Sequence, residues 1–277
     1  MPVAAVNGLD IFYEESGSRS DPTLLLVCGL GAQCTRYDDA LVTGFIERGF
    51  HVLRYDNRDA GLSSHMPLDA VYSVSDMAAD GMALLDSLDI DSVHVWGSSM
   101  GGMIAQAMAI EHPARIRTLT SVMSTTGEPE FGSPEPELLA ELIESTRPAA
   151  DLDEAVEAAV RLAKAIGSPA HWDEDEQRIR QRAFLERSHD PAGTGRQLTA
   201  VVTSGSRADG LRSLDVPTLV IHGTADRLVT PSGGRRTAEL VPRARLVEVD
   251  GMGHDLIGPF WSTYLEATTD LVARSAR

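Results

Sequence analysis

Six short apolar runs recur along this chain, at Thr23 to Gly29, His51 to Asp56, Ser92 to Gly97, Ile116 to Met123, Pro217 to Gly223 and Ala244 to Gly251. Each has the length of a β-strand, and runs as solid as "TLLLVCG" suit strands covered on both faces. Helical periodicity fills the gaps, over Asp38 to Arg48, Val74 to Leu88, Met100 to His112, Gly233 to Leu240 and Phe260 to Ala273. Strand alternating with helix implies an α/β architecture, a mostly parallel central sheet flanked by helices. Ahead of it, "VAAVNGLDIFYEE" reads as a hairpin turning at Asn7-Gly8.

The alternation stops between about Gly127 and Asp215. There "PELLAELIEST", "DLDEAVEAAVRLAKAIG" and "DEDEQRIRQRAFLERS" carry helical periodicity with acidic residues in their first turns, where the helix dipole favours them. A helical block inserted at the edge where such sheets carry their sites is expected to form a cap, rather than a bundle that only adds stability. The division is then a core of residues 1–126 and 216–277 with a helical cap over 127–215. A chain of 277 residues has room for both.

The run ending at Gly97 leads straight into "GSSMGG". A Gly-x-Ser-x-Gly pattern alone is weak, but this one follows a strand and opens a helix, the setting of a nucleophile elbow. The turn forces its central residue into a strained backbone conformation, tolerated only with small residues two positions before and after. Ser99 meets that condition through Gly97 and Gly101, whereas Ser98 would have Trp96 and Met100 at those places. From the elbow the Ser99 hydroxyl projects over the sheet edge, and the backbone N–H of Met100, opening the helix, faces developing negative charge. A second donor is expected after the first core run, where "CGLGAQC" offers the N–H of Leu30 between Gly29 and Gly31.

A serine hydroxyl needs a base to take its proton. Of eight histidines, His254 in "VDGMGHDL" follows the last strand and precedes the final helix; on such a sheet serine, acid and histidine come in that order. His222 closes a strand and reads as structural, His51 and His94 lie on other strands, and His65, His112, His171 and His189 precede the acid. That acid is expected at Asp226 in "VIHGTADRLV", just beyond a core strand, where a carboxylate can fix the imidazole tautomer and stabilise its charged form. Its competitors are Asp56, after an earlier strand, and Asp250 and Asp255, too near His254 in sequence to orient it. The bland role for Asp226 is that of a turn former.

These features resemble the α/β-hydrolase superfamily over nearly the whole chain. The stretch "RYDNRDAGLSS", Arg54 to Ser64, is similar to a loop of capped esterases of the aclacinomycin methylesterase type, which act on methyl esters of aromatic polyketides. Cys28 stands where a histidine is frequent in the family; because the oxyanion donor is a backbone amide, catalysis should survive the change. The resemblance implies a serine carboxylic ester hydrolase working through an acyl-enzyme. Ser99, Asp226 and His254 would form its triad and the Leu30 and Met100 amides its oxyanion hole, with no cofactor and no metal. Asp56 and Arg58 would brace their loop by an ion pair or hydrogen bonds. A serine at position 99 separates the chain from dehalogenases and epoxide hydrolases that use an aspartate there. Ser98 and Asp255 depart from the asparagine and tryptophan of the carbon–carbon bond hydrolases. The alternatives on this fold are a lipase-like esterase or perhydrolase for simple acyl esters, a cofactor-free lyase or cyclase with His254 as base, and a ligand receptor.

Charge narrows the partners. A formal net charge of -17 repels phosphate backbones and anionic lipid, so neither nucleic acid nor membrane is expected. No stretch reaches the roughly 18 apolar residues of a membrane span, and the N-terminus lacks a signal-peptide pattern. The expectation is a cytoplasmic monomer or homodimer acting on a small-molecule ester. Cys28 and Cys34 match no redox or zinc spacing and are expected as reduced, partly buried thiols. Trp172 and Phe184 of the cap, with Met103 and Met123, are candidates for an apolar slot, against a plain packing role. The acidic cap mildly disfavours a strongly anionic substrate.

Overall fold

The computed structural model describes residues 2–275. The six apolar runs form β3 (Thr23–Val27), β4 (His51–Tyr55), β5 (Val93–Ser98), β6 (Ile116–Val122), β7 (Thr218–Gly223) and β8 (Ala244–Val249). The leading hairpin supplies β1 (Val3–Val6) and β2 (Leu9–Ser16). Its turn is built from Asn7 at φ 52 and Gly8 at φ 76, the paired left-handed conformations of a two-residue hairpin loop. All eight strands join in one sheet, in the order β1-β2-β4-β3-β5-β6-β7-β8. The hairpin is antiparallel to its neighbour and every pair from β4 to β8 is parallel.

β3, β4, β5 and β7 are buried along their whole length because helices cover both faces, while β8 at the edge is only partly covered. On one face α1 (Asp39–Ile46) and α10 (Trp261–Ser275) pack around Trp96, whose ring meets Tyr37 and Tyr264 edge-on at 5.6 and 5.9 Å. On the other, α2 (Val74–Ser87), α3 (Met100–Glu111) and the end of α9 (Ser232–Leu240) bury a second core. The strand order reverses beside β3, so the ends of β3 and β5 flank the crevice where such sheets bind ligands.

Between β6 and β7 the chain makes five helices, α4 (Pro136–Glu144), α5 (Leu152–Ile166), α6 (Glu174–Arg187), α7 (Pro191–Thr203) and α8 (Ala208–Arg212). Asp151, Asp173 and Asp190 cap α5, α6 and α7 by accepting from the amides of Glu154, Glu176 and Gly193. The first three helices fall where periodicity places them. α7 does not announce itself, because the side it buries is Gly193, Gln197 and Ala200, small or polar instead of an apolar stripe. A side chain at Gly193 would stand 2.6 Å from the Asp59 carbonyl, so glycine is what lets α7 lie against that loop.

The loop after β4 anchors this insertion. Arg187 of α6 reaches buried Asp56 at 2.9 Å, and Arg196 of α7 grips buried Asp59 with Nε at 2.9 Å and Nη2 at 2.7 Å. Asp56 also accepts from the amides of Cys34 (2.6 Å) and Leu62 (2.9 Å). Arg58 pairs with Asp80 of α2 at 2.6 Å, so the two bracing residues of the loop serve different partners. Burial alone would push the Asp59 carboxyl up; hydrogen bonds from Arg196, the Met66 amide and the Tyr72 hydroxyl outweigh it and hold the group below its ordinary value. Cys28 and Cys34 are unpaired thiols and both fully buried, deeper than expected. Among the described residues no helix is long and apolar enough to cross a membrane.

Replacing Arg196 by Met leaves Asp59 buried without its cation. The expected loss is about 3–5 kcal/mol of unfolding free energy at neutral pH, read by urea denaturation. That loss should shrink as the pH falls, since the stranded carboxyl of the variant escapes its penalty by protonating.

Candidate active site

Ser99 occupies the turn from β5 into α3 with φ 56 and ψ -123, a conformation few residues other than glycine adopt. The turn closes only because its neighbours are small. A Cβ on Gly97 would lie 2.1 Å from the Gly101 carbonyl oxygen, and one on Gly101 2.0 Å from that of Val27. The turn is held by the Ser99 amide donating to Val122 O (2.9 Å) and by Ser124 Oγ donating to Ser99 O (2.8 Å). Ser98 is part of the frame. The Tyr37 hydroxyl donates to Val27 O at 2.6 Å, which leaves Ser98 Oγ to donate to Tyr37 at 3.2 Å.

Pairing of Val27 with Gly97 in the sheet sets the loop after β3 beside the elbow. A Cβ on Gly29 would stand 3.8 Å from Ser99 Oγ. Neither the Leu30 amide nor that of Met100 donates a hydrogen bond among the described residues. The Gly31 amide, next in the chain after Leu30, is committed elsewhere: it donates to Gln197 Oε1 at 2.7 Å, and Gln197 Nε2 donates to Arg58 O at 2.7 Å. Gln197, fully buried on α7, thus fixes the loop that carries Leu30. Its sequence neighbourhood, "GTGRQLTAVV", carries no signal for that role, because the contact spans 166 residues.

His254 and Asp226 are brought into contact. Asp226, in the loop after β7, accepts from the amides of Leu228 (3.0 Å) and Val229 (2.9 Å) on Oδ1, and from His254 Nδ1 at 2.7 Å on Oδ2. Burial pushes its carboxyl up, but the charge of His254 and hydrogen bonds from His222 and His254 prevail and lower it to about 2. His222 sits 3.5 Å from Asp226 Oδ2 and donates Nε2 to Val229 O at 2.8 Å, the structural part foreseen for it. The competing carboxylates are otherwise engaged. Asp250 accepts from Thr224 Oγ1, and Asp255 takes the amide and hydroxyl of Ser168 at 2.7 and 2.6 Å.

The end of α5 grips the histidine loop. The His254 amide donates to Ile166 O at 2.7 Å, and the Gly253 amide to Ser168 Oγ at 2.8 Å. Ser99 and His254 line one cavity of about 870 Å³, without a hydrogen bond between them among the described residues. Its walls include Leu30, Met100, Met103, Met123 and Phe184, but not Trp172, whose ring instead lies under Lys164 at 5.7 Å. The site therefore joins a hydroxyl on a strained turn, an imidazole held through one nitrogen by a buried carboxylate, two unclaimed amides and a roomy cavity. Such a set can activate a nucleophile and stabilise an oxyanion. Asp59, His65 and Asp190 also cluster as metal-ligating types, yet Arg196 already supplies the cation there, at 2.7 Å from Asp59 and 3.4 Å from Asp190.

The model of the α/β hydrolase fold family matches residues 22–258. The chain belongs to the α/β-hydrolase family. This α/β hydrolase is 30% identical over 271 residues to rhodomycin D methylesterase of Streptomyces peucetius and 31% identical to that of Streptomyces sp. strain C5, each match covering 89% of both chains. Among solved structures it is similar to the enol-lactonase from Burkholderia xenovorans LB400, with a TM-score of 0.81 and 25% identity over 98% of this chain and all of that one.

The lowered carboxyl of Asp226 fixes a pH response of stability. Its contribution is complete above pH 3.8 and is lost as the pH falls through about 2. Asp226→Asn should flatten that part of the stability curve, measured by urea denaturation across the acid range; an unchanged acid limb would show that Asp226 is not held as its contacts imply.

Proposed function

We propose that this α/β hydrolase cleaves carboxylic esters by a serine mechanism, with residues 127–215 acting as a cap that shapes the substrate cavity. The observation that carries the reading is the buried 2.7 Å bond from His254 Nδ1 to Asp226, in the same cavity as Ser99 on its strained turn. Holding Nδ1–H on the carboxylate leaves Nε2 as the basic nitrogen. Ser99 Oγ attacks the ester carbonyl carbon while its proton passes to His254 Nε2, and the carbonyl oxygen becomes an oxyanion between the Leu30 and Met100 amides. Asp226, ionised above pH about 2, stabilises the imidazolium formed. The oxyanion collapses, the carbon–oxygen bond to the alcohol breaks, and His254 returns the proton to the departing alcohol. Water then attacks the acyl-serine by the same route, freeing the acid and Ser99.

A cavity of about 870 Å³ suits a drug-sized acid more than a short acyl chain. Two relatives named rhodomycin D methylesterases support a bulky, aromatic acid joined to a small alcohol. The Ser99→Ala variant should fold as the parent and lose on the order of 10⁶ in kcat. The substrate arm is a panel of methyl esters of polycyclic aromatic acids beside p-nitrophenyl esters of rising acyl length. Higher kcat/KM on the aromatic methyl esters is expected. Residual turnover near the parent's in Ser99→Ala overturns the nucleophile assignment, and a preference for long acyl chains overturns the substrate class.

A further inference from the structure

The walls of the cavity carry one guanidinium with no direct partner. Nearly every ionised side chain lining it is engaged. Arg187 binds Asp56, Arg180 pairs with Glu176 at 3.0 Å, Arg147 with Glu144 at 2.8 Å, and Glu128 with Arg236 at 2.9 Å. Asp255 accepts both donors of Ser168, and Asp38 caps α1 through the Ala40 amide. Arg36 alone among these has a side chain with no hydrogen bond or ion pair to the described residues; only its backbone amide is engaged, donating to Gln33 O at 2.9 Å. It is partly buried, at the end of the short 3-10 turn Cys34–Arg36. Burial first, and then the charge of Arg180, push its guanidinium down from the ordinary value, with Asp255 acting the other way.

Physical cost gives this weight. A guanidinium keeps its proton at any relevant pH, so it cannot escape burial by neutralising as a lysine or histidine can. Beside a second arginine, in a cavity rich in apolar side chains such as Phe131, Leu139 and Leu162, it is partly shielded from water and gains when an anion takes the place of the water it keeps. Its place in the chain ties it to the reacting centre. Arg36 lies six residues beyond Leu30, and the next residue, Tyr37, bonds Ser98 beside the nucleophile. The carboxylates of this wall each have donors of their own: Glu128 and Glu144 pair with arginines, Asp255 accepts from Ser168 and Asp38 from the Ala40 amide, so none of them bonds Arg36.

We propose that Arg36 is the anchor of a carboxylate-binding subsite in the cavity, with Arg180 adding to its positive potential, and that the ester substrate therefore bears a second, ionised carboxyl group. The planar fork of Arg36 offers two parallel N–H donors to one carboxylate. The neutral ester end is then directed to Ser99 by exclusion, since only the ionised end gains from the guanidinium. The substrate class, not the subsite, rests on the esterase reading given above.

Binding tests the subsite without turnover. The full-length Ser99→Ala protein is titrated calorimetrically with 2-naphthoate and with 2-naphthamide, two probes of nearly equal shape. Naphthoate should bind about ten- to a hundred-fold tighter, and adding Arg36→Gln should abolish most of that ratio, while Arg36→Lys keeps part of it. Equal affinities for the two probes overturn the proposal. So does a ratio that survives Arg36→Gln, because the carboxylate would then be held by the Leu30 and Met100 amides. If Arg36→Gln does not fold, the ratio in the Ser99→Ala parent and its decline in Arg36→Lys decide the matter. The substrate class is tested with the wild-type chain on the monomethyl and dimethyl esters of naphthalene-2,6-dicarboxylic acid. A higher kcat/KM for the charged monoester is expected, and a preference for the diester overturns it. Hydrolysis of neither ester, together with selective naphthoate binding, would reject the esterase reading and leave the subsite standing.

Discussion

The close contact among Val27, Gly97 and Gly101 is the constraint on which the rest of the molecule turns. With backbone touching backbone at the ends of β3 and β5, no side chain larger than hydrogen fits at either glycine, and the chain between them has to bend sharply enough to put Ser99 at φ 56. A residue in that conformation stores strain on the order of 1–3 kcal/mol, and the turn persists because both flanks are locked into buried parallel strands and a buried helix. The same contact brings the Leu30 loop and the start of α3 side by side, one leaving β3 and the other following the adjacent strand. The position of the Ser99 hydroxyl and of both amides thus follows from one packing event in the sheet.

Polar interactions perform a different task. The insertion between β6 and β7 rests on the core through arginines of α6 and α7 that meet buried carboxylates of the loop after β4. Buried ion pairs gain little over apolar packing in net stability but are unforgiving of displacement, since either partner left alone is costly. They fix where the insertion sits. Gln197 and the end of α5 then carry that fixed position to the loop of Leu30 and the loop of His254.

Legibility in the sequence followed the kind of force involved. Burial on both faces of a sheet leaves solid apolar runs, so all six core strands could be read, and the demand for small residues around Ser99 singled it out over Ser98. Chain order pointed to Asp226 and His254 as candidates, and the two lie in contact. What stayed hidden were contacts made by polar or small residues across long separations. α7 buries Gly193 and Gln197, so its periodicity is not hydrophobic; Arg58 chose Asp80 over the nearer-seeming Asp56; and Trp172 turned to Lys164 instead of the cavity. The isolation of Arg36 is likewise invisible in one dimension, since having no partner is a statement about everything folded around it.

The bond from the His254 amide to the Ile166 carbonyl sets a condition on how anything enters or leaves. A rigid swing of the whole insertion away from the sheet would have to tear that bond and pull at the loop bearing Leu30 as well. Opening by that route would displace both the His254 loop and the loop of Leu30, so under the proposed mechanism a wide-open molecule is also an idle one. Traffic through the cavity is compatible with an assembled centre only if it uses motions too small or too local to disturb α5 and α7. Under the proposed function, access and readiness are in this way mechanically linked: a looser insertion would open the cavity more easily and hold the His254 and Leu30 loops less firmly.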